Sequence, residues 1–429
     1  MKTSYNIAII GLGQIGNYLF NEINLKKKDI QIKTGKKIKI VAISAKNKNK
    51  KRKYKINKKI FYSNPLNVIK NLNIDILIEA IGNSDGISKK IVEAALKNKI
   101  HVITPNKALI SKHGDYLAKL AEKNKVNLEF EASVCGGIPI LRTIKESLAT
   151  NKITKVYGIF NGTCNYILSK MEETKDSFLK VLANAQKLGY AEPVNPKLDL
   201  NGYDALAKVK ILSSLAFNKK ISNTKNLMEG IENIESKDFQ IVDQLNYRIK
   251  LLGITELINN QLYERVHPCL VKKNSYIGNV KDVMNAVILK GNPVGESVLQ
   301  GEGAGPGATS SALMSDLLSI LRGNIKYPFG ISSRKRKKVK IYDSNKYSNS
   351  LYIRLEVKDK PGVLSIITKQ LAKFNISVQR LIQIPDHKRK MASIVIITHE
   401  ANELNSNKCL KSINNNKNIL KAPVLIRLF

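Results

Sequence analysis

Asp204 and Lys208 stand four residues apart in the segment Asn201-Gly-Tyr-Asp204-Ala-Leu-Ala-Lys208. On a helix, positions i and i+4 share a face. Ile211 and Leu215 continue that line toward the C-terminal end, so the face is covered rather than washed by solvent. A surface ion pair at this spacing would contribute only about 0.3–0.5 kcal/mol, and it is the context that makes the pair informative. It lies just downstream of Leu188-Gly-Tyr-Ala-Glu192, in a chain whose N-terminus carries the nucleotide-type loop Gly11-Leu-Gly13-Gln-Ile-Gly16. Together they point to an oxidoreductase.

The elements needed to position these groups are legible in outline. Residues 6–16 read strand then glycine turn, with a helix following over 17–24, which is the order of a dinucleotide-binding unit. The glycines allow a tight turn and close approach to pyrophosphate, and the helix N-terminus supplies free N–H donors. A second strand over 38–43 and a third over 75–81, ending in Gly82, repeat the βαβ logic and predict a parallel sheet. A helix over 87–98, a strand over 100–103, the loop Thr104-Pro-Asn-Lys107, a helix to about residue 123 and a strand over 127–131 extend it to five or more strands. The expected first domain is therefore 1–145.

Beyond it the pattern changes to strands and longer amphipathic helices, including 175–188 and 202–217, which suits a substrate and dimerisation domain over 146–330. The segment Gly301-Glu-Gly-Ala-Gly-Pro-Gly307 opens a helix over 309–321, and the stretch 301–325 is expected to pack back on the first domain. A basic linker over 331–348 follows. Strand 351–357, a helix, strands 376–383 and 393–398, a Lys/Asn-rich helix and strand 424–428 then give a small separate βαββαβ module over 349–429. The fold class expected is α/β: a Rossmann-type doubly wound parallel sheet, an α+β domain and this last module.

Composition bounds the function. A chain of 429 residues is longer than one core usually organises. No apolar run approaches the roughly 18–20 residues needed to span a bilayer. Met1-Lys-Thr-Ser leads straight into the first strand without the pattern of a secretory signal. Cys135, Cys164, Cys269 and Cys409 match no zinc spacing or dense disulfide framework, so a reducing cytoplasm is the expected location, with no membrane partner. The net charge of +38 comes from 72 Lys+Arg against 34 Asp+Glu and would ordinarily suggest a polyanion. Here the excess is mostly lysine, mixed along the chain with Asn and Ile as an AT-rich coding bias would produce. No RNA-binding aromatic signature or zinc finger accompanies it, so no specific nucleic-acid partner is expected. The clusters at 46–53 and 334–338 read as a solvated loop and an interdomain linker.

Four blocks in collinear order carry a family resemblance: Val102-Ile-Thr-Pro-Asn-Lys107-Ala-Leu, Glu131-Ala-Ser-Val-Cys-Gly-Gly-Ile-Pro-Ile140, Gly158-Ile-Phe-Asn-Gly-Thr-Cys-Asn-Tyr-Ile-Leu168 and Ala185-Gln-Lys-Leu-Gly-Tyr-Ala-Glu192. Over nearly its whole length the chain resembles the homoserine dehydrogenases, in the bacterial form with a C-terminal ACT domain. The resemblance implies reversible NAD(P)-linked reduction of L-aspartate 4-semialdehyde to L-homoserine, on the route to threonine and methionine. Hydride delivered to an aldehyde generates an alkoxide that must be stabilised and protonated. Lys208 matches the family's proton donor, a role suited to a partly desolvated lysine of lowered pKa. Lys107 matches a second lysine between nicotinamide and substrate. Glu192 and Asp204 match carboxylates that receive the substrate's ammonium and hydroxyl groups, which places Asp204 with the catalytic lysines.

By the same resemblance the cofactor contacts are Gly11, Gly13, Gly16, Ile81, Gly82, Lys107, Gly189 and Gly303. NAD specificity usually needs an acidic residue about twenty positions beyond the glycine loop. The second strand instead runs into Ile43-Ser-Ala-Lys46, followed by Arg52 and several lysines, so NADPH is favoured over NADH and Arg52 joins the cofactor set. The resemblance also implies a Na+ or K+ site with oxygens from Glu131, Val134, Gly136 and Ile138, through main-chain carbonyls. It implies L-threonine as an inhibitor at Asp359-Lys-Pro-Gly-Val-Leu364, although ACT modules can also serve only in dimerisation, and a homodimer or homotetramer, since the family's substrate domain and ACT module usually associate.

The stretch from Glu192 to Asp204 departs from the family pattern and is one residue longer, which weakens its substrate contacts relative to Lys208. Cys135 and Cys164 stand where the family more often has Ala or Gly and Thr, and read as small packing residues. Three rivals remain open. Thr163-Cys164-Asn165 superficially resembles the nucleophile region of thioester-forming aldehyde dehydrogenases, although no His carries a matching motif as its base; His113 is assigned no role. An amino-acid-responsive regulator without catalysis would bind NADPH and threonine but not turn over. Charge-driven nucleic-acid binding would weaken steeply with salt.

Overall fold

The computed structural model describes residues 2–429 apart from 72, 194, 225, 324 and 387. The chain begins with β1 (Ser4–Ile10), α1 (Gln14–Leu25), α2 (Lys27–Thr34), β2 (Lys37–Ser44), β3 (Phe61–Tyr62), α3 (Pro65–Asn71), β4 (Ile76–Glu79), α4 (Ile87–Lys97), β5 (His101–Ile103), α5 (Lys107–Asn124) and β6 (Leu128–Glu129). The six strands pair in parallel in the order β3-β2-β1-β4-β5-β6, the Rossmann arrangement. Along β1, Ile7 and Ile9 enter one core cluster while Ala8 and Ile10 enter another, because both faces of a parallel sheet are covered. β1 and β4 are neighbours across the point where the strand order reverses, and the crevice beyond their C-terminal ends is where such sheets take ligands. Helix α1 starts at Gln14, three residues before the start expected at Asn17. Gly16 therefore lies inside its first turn, where an added Cβ would come within 1.8 Å of the Gly11 carbonyl oxygen.

A short α6 (Ile140–Arg142) widens into a π turn over Thr143–Ser147. Then follow β7 (Lys152–Ile159), α7 (Gly162–Thr174), α8 (Phe178–Lys187), α9 (Lys197–Leu200), α10 (Tyr203–Ala216), β8 (Leu227–Met228), α11 (Ser236–Gln244), β9 (Tyr247–Ile258), β10 (Gln261–Lys272), β11 (Met284–Asn292), β12 (Gly295–Glu302) and α12 (Pro306–Leu321). Helix α12 lies against α1, and its Leu313, Leu317, Ile320 and Leu321 join Leu19 and Ile23 in one cluster. Each aliphatic side chain so buried contributes about 1.5–3 kcal/mol, enough to hold the returning helix on the first sheet.

The last elements are β13 (Ser348–Asn349), β14 (Leu351–Lys358), α13 (Val363–Lys373), β15 (Val378–Asp386), β16 (Met391–Thr398), β17 (Ala401–Asn402), α14 (Glu403–Asn414) and β18 (Val424–Leu428). Their βαββαβ order is the expected one, yet the module does not stand apart. β18 pairs in parallel with β10, Cys269 opposite Arg427 and Leu270 opposite Leu428. One sheet therefore runs β12-β11-β7-β9-β10-β18-β14-β16-β15, with β8 beside β10. Strand alternation identifies a strand but not its distant partner, which is why this continuity escapes the sequence. Among the described residues no helix is long and apolar enough to cross a membrane.

A buried charge network also fastens the module. Arg354 on β14, 2% exposed, reaches Asp238 on α11 at 2.6 Å and Glu356 at 3.0 Å, and the Tyr352 hydroxyl donates to Asp238 at 2.7 Å. Removing one partner of a buried pair leaves the other charge uncompensated, at a cost of about 3–5 kcal/mol. Asp238→Ala should therefore lower the unfolding free energy measured by denaturant titration by an amount of that order, whereas an exposed pair such as Lys180–Asp176 should be lost with little change.

Candidate active site

Two loops meet at the switch point. Gly11, at φ +100°, follows β1 so closely that a Cβ would lie 2.4 Å from the Ala80 carbonyl oxygen after β4. Gly11 and Gly16 are thus demanded by the backbone around them. Gly13 differs, for a Cβ there would meet nothing within 4 Å. Gly13 also begins α1 with no side-chain cap and no acidic residue in the first turn, so this end of the helix offers free N–H donors to an anion. Gly82, at φ +108°, likewise faces open space.

Sequence reasoning missed the group that shapes this second loop. The Glu79 carboxylate, fully buried at the end of β4, accepts from the Ile81 and Gly82 N–H groups at 2.8 and 3.2 Å, from Ser88 Oγ at 3.0 Å and from Thr104 Oγ1 at 2.6 Å. Asn106 locks the other side. Its amide donates to the Gly82 and Asn83 carbonyls at 2.7 and 2.8 Å while its oxygen caps α5 through Leu109 N–H. Lys107, the first residue of α5, is thereby aimed across the crevice. The Thr-Pro-Asn-Lys block is a clamp, cap and cation in consecutive residues.

Across the crevice, α10 presents Asp204 in its first turn and Lys208 one turn on. Asp204 Oδ1 pairs with Lys107 Nζ at 2.8 Å, and Asp204 Oδ2 with Lys208 Nζ at 2.8 Å. Lys208, 7% exposed, also donates to the Phe160 carbonyl oxygen at 2.5 Å. Asn161 caps α7 with its oxygen and gives its amide to Asp199 Oδ1 at 2.8 Å and Asp204 Oδ2 at 3.0 Å. Asp199 is thus a second carboxylate in the site that the sequence reading did not single out. The signal was present in Asp199-Leu-Asn-Gly-Tyr-Asp204, inside the stretch noted only as irregular. Glu192 is exposed and does not line the cleft; its main-chain oxygen accepts from Gln186.

The electrostatics differ from expectation in one respect. Burial alone would lower the Lys208 pKa, but the charges of Asp204 and Asp199 outweigh it and the net direction is up. Burial pushes the Asp204 carboxyl up, and Lys208 and Lys107 more than reverse this, holding it well below the usual carboxylate range. Lys208 is therefore held as an ammonium. Asp199 is raised, by burial first and the Asp204 charge second.

The cleft between these walls holds about 630 Å³, within the range of ordinary ligand sites. Gln14, Pro105, Lys107, Gly189, Gly303 and Pro306 contribute to its lining together with Asp199, Asp204 and Lys208. Helix α12 also opens onto it, again without side-chain cap or acidic first turn. Arg52 lies beside the glycine loop, where its guanidinium donates to the carbonyls of Leu12, Asn47, Lys48 and Lys50. Ile81 packs at the edge of the first core.

The turn 131–138 lies at the junction with α12. Both Glu131 carboxylate oxygens accept backbone N–H groups, from Leu141 and Arg142 at 2.8 Å, so its side chain is already spent. The Glu131 and Ile138 carbonyls accept from Val134 N–H at 3.3 Å and Ile140 N–H at 2.8 Å. Cys135 and Gly136 take φ of +52° and +27° between them. The thiols are inert by environment. Cys164 is fully buried, donates to the Asp199 carbonyl oxygen at 3.3 Å and is pushed well above its usual pKa by burial. Burial raises Cys135 to about 11.

A Rossmann sheet whose open glycine turn faces a lysine–carboxylate–lysine bridge defines a nicotinamide-dependent oxidoreductase. The comparisons make this specific. Residues 11–131 match the model for the homoserine dehydrogenase NAD binding domain, 139–318 that for homoserine dehydrogenase, and 351–417 that for the ACT domain. The homoserine dehydrogenase of Neisseria gonorrhoeae is 34% identical over 99% of this chain and 98% of its own length, and that of Helicobacter pylori 35% identical over all of both. The crystal structure of a homoserine dehydrogenase from Thiobacillus denitrificans superposes with a TM-score of 0.90 at 32% identity, covering 100% of this chain and 99% of that one. This chain belongs to the homoserine dehydrogenase family, whose members are oxidoreductases acting on a CH–OH group.

Two outcomes follow from the geometry. Cys164→Ser should keep turnover, because the thiol is buried and protonated; loss of turnover with the fold intact would revive the thioester route. Gly16→Ala should abolish dinucleotide binding, read by the change in the fluorescence of NADPH itself on binding, since its Cβ has no room beneath the Gly11 carbonyl.

Proposed function

We propose that this enzyme reduces L-aspartate 4-semialdehyde to L-homoserine with NADPH, Lys208 supplying the proton. The observation that carries the reading is the Lys107–Asp204–Lys208 bridge, which joins two walls of a cleft also lined by Gln14 and Ile15 at the start of α1, just past the glycine turn. The nicotinamide group, when bound, supplies the hydride. Gly13, Ile81 and Gly82 would hold the cofactor beside the free end of α1, with Gly189 and Gly303 on the opposite wall. Gly11 and Gly16 keep the turn compact.

Lys208 enters the reaction as an ammonium, oriented by Asp204 and the Phe160 carbonyl, and gives its proton to the alkoxide that forms on the aldehyde oxygen. Lys107 places positive charge at the same opening. Asp199 and Asp204, both bound by the Asn161 amide, are the carboxylates proposed to receive the substrate's ammonium; Glu192 lies outside the cleft lining. Preference for NADPH is supported by the absence of an acidic residue just after β2 and by the basic run 46–53, whose Arg52 reaches the glycine loop at the Leu12 carbonyl.

The division 1–145, 146–330, 331–348 and 349–429, with 301–325 returning to the first unit, is the working domain scheme. A homodimer or homotetramer is supported by the ends of the long sheet, where β12 and β15 have one neighbour each. Four free, buried cysteines suit a reducing cytoplasm. For Na+ or K+ the carbonyls of the 131–138 turn are the donors left, since among the described residues no cluster of three acidic, His or Cys side chains could hold a metal. L-Threonine is the proposed ligand of the turn at Gly362, where α13 begins at φ +86° without a side-chain cap.

Wild type should oxidise NADPH with L-aspartate 4-semialdehyde, and Lys208→Ala should lose about 10²–10⁴-fold in kcat. A folded wild type that binds NADPH without turnover would favour the regulator instead. The pH dependence has a definite sign. Reduction needs the Lys208 ammonium, so its rate falls as pH rises through the Lys208 pKa. Asp204 raises that pKa, so Asp204→Asn should move the fall to lower pH, and an unchanged profile would remove Lys208 as the acid. Saturating L-threonine should lower activity; unchanged kinetics would leave the ACT module a structural role.

A further inference from the structure

The stretch between Asp199 and Asp204 rests on a second segment behind it. Ile231 N–H donates to the Leu200 carbonyl oxygen at 3.1 Å, and Gly230 comes so near that a Cβ would lie 2.3 Å from that oxygen. This is backbone against backbone, with no side chain between to absorb a shift. Immediately before it, Glu229 takes a two-pronged ion pair from Arg427, at 2.7 and 2.9 Å. Arg427 belongs to β18, is 1% exposed, and holds Glu403 of α14 with its remaining N–H groups.

One ion pair thus separates the C-terminal module from the backbone that carries the site's two carboxylates. The same segment is gripped at its far end by the module's other buried arginine, for Arg354 reaches the Asn233 carbonyl at 3.4 Å and Asp238 at 2.6 Å. Buried ion pairs are weak sources of net stability beside apolar packing; what a two-pronged guanidinium–carboxylate pair supplies is fixed geometry. Arg427 lines no part of the cleft, so an effect on turnover passes through its neighbours, either Glu229 and the 229–231 segment or β10, with which β18 pairs at Arg427; a change at Glu229 tests the first route alone.

We propose that Arg427 and Glu229 are a positioning pair that sets the Asp199–Asp204 stretch, so that the C-terminal module governs affinity for the amino-acid aldehyde through this contact. The inference rests on the site reading above. It gives the module a mechanical route to the substrate wall that leaves the dinucleotide wall, built on β1 and β4, alone.

The test uses the full-length enzyme with Arg427→Gln, Arg427→Lys, Glu229→Gln and the double variant Arg427→Gln/Glu229→Gln, beside Lys208→Ala. KM for L-aspartate 4-semialdehyde should rise about 3- to 30-fold in each neutral variant, while the Kd for NADPH, read by fluorescence, stays near wild type. Arg427→Lys should restore part of the loss. The double variant should be no worse than either single one, because the same contact is removed. Should Arg427→Gln fail to fold, Glu229→Gln, which retains size at a partly exposed site, carries the same comparison. A lowered Tm with unchanged aldehyde KM, or additive losses, would overturn the positioning role. Full activity in Lys208→Ala would instead overturn the site reading, and the inference with it; a dead Lys208→Ala beside an unchanged KM in Glu229→Gln overturns the inference alone.

Discussion

The Asp204 carboxylate is held between two ammonium groups that arrive from different parts of the chain, Lys107 from α5 and Lys208 from its own helix. A carboxylate largely withdrawn from water has its pKa raised unless it is paired, and the rest of the architecture can be read as what keeps the pairing in place. Lys107 is aimed by the Asn106 cap, which is itself tied to the Gly82 loop, which is shaped by the buried Glu79. Lys208 is fixed by the Phe160 carbonyl, and Asp204 by the Asn161 amide. Each support is a buried polar group with its partner on the opposite wall or the next loop, so removing any one leaves another unsatisfied.

This constraint also accounts for the chain's route. A cleft between two layers needs both layers to stay in register, and α12 provides that by returning to pack on α1 after the long sheet is built. Its free N-terminus then opens on the cleft from the far side. The C-terminal module extends the same sheet through β18. A stiff, continuous hydrogen-bonded layer therefore connects the ACT fold to β10, whose Val266 touches both Gly202 and the 227–229 strand end.

Local features were the legible ones. The glycine turn with its strand and helix, and the Asp204/Lys208 spacing, announce themselves because their chemistry lies within a few residues. The family blocks pointed to Lys107 for the same reason, for aim and cation are consecutive there. What escaped was set by distance in sequence or by compensation. Asp199 lay in a stretch recognised only as irregular, and its role becomes visible once Asn161, 38 residues away, is seen to bind it. Glu79 reads as an ordinary strand residue until its carboxylate is found with four donors. The pKa of Lys208 was expected to fall on desolvation alone; the neighbouring carboxylates, counted together, reverse the sign. The pairing of β18 with β10 has no local signal at all, since either strand could have remained an edge.

Charge counting across the cleft suggests why the bridge takes this form. Lys107 and Lys208 balance Asp204 and Asp199, so these four charges sum to zero; Glu302, which also lines the cleft, is exposed. An amino-acid aldehyde enters as a zwitterion and leaves that sum unchanged. On the proposed mechanism, hydride addition would place one new negative charge on the former carbonyl oxygen and one positive charge on the nicotinamide ring that gives the hydride up. A proton moving from Lys208 to that oxygen cancels the negative charge, but leaves a neutral amine beside Asp204, whose remaining full partner is Lys107. The second lysine is what keeps the buried carboxylate compensated at that moment. On this argument Lys107 acts on the step from the side of the base left behind as much as from that of the substrate, and a site with Lys208 alone would pay for protonation by stranding a charge.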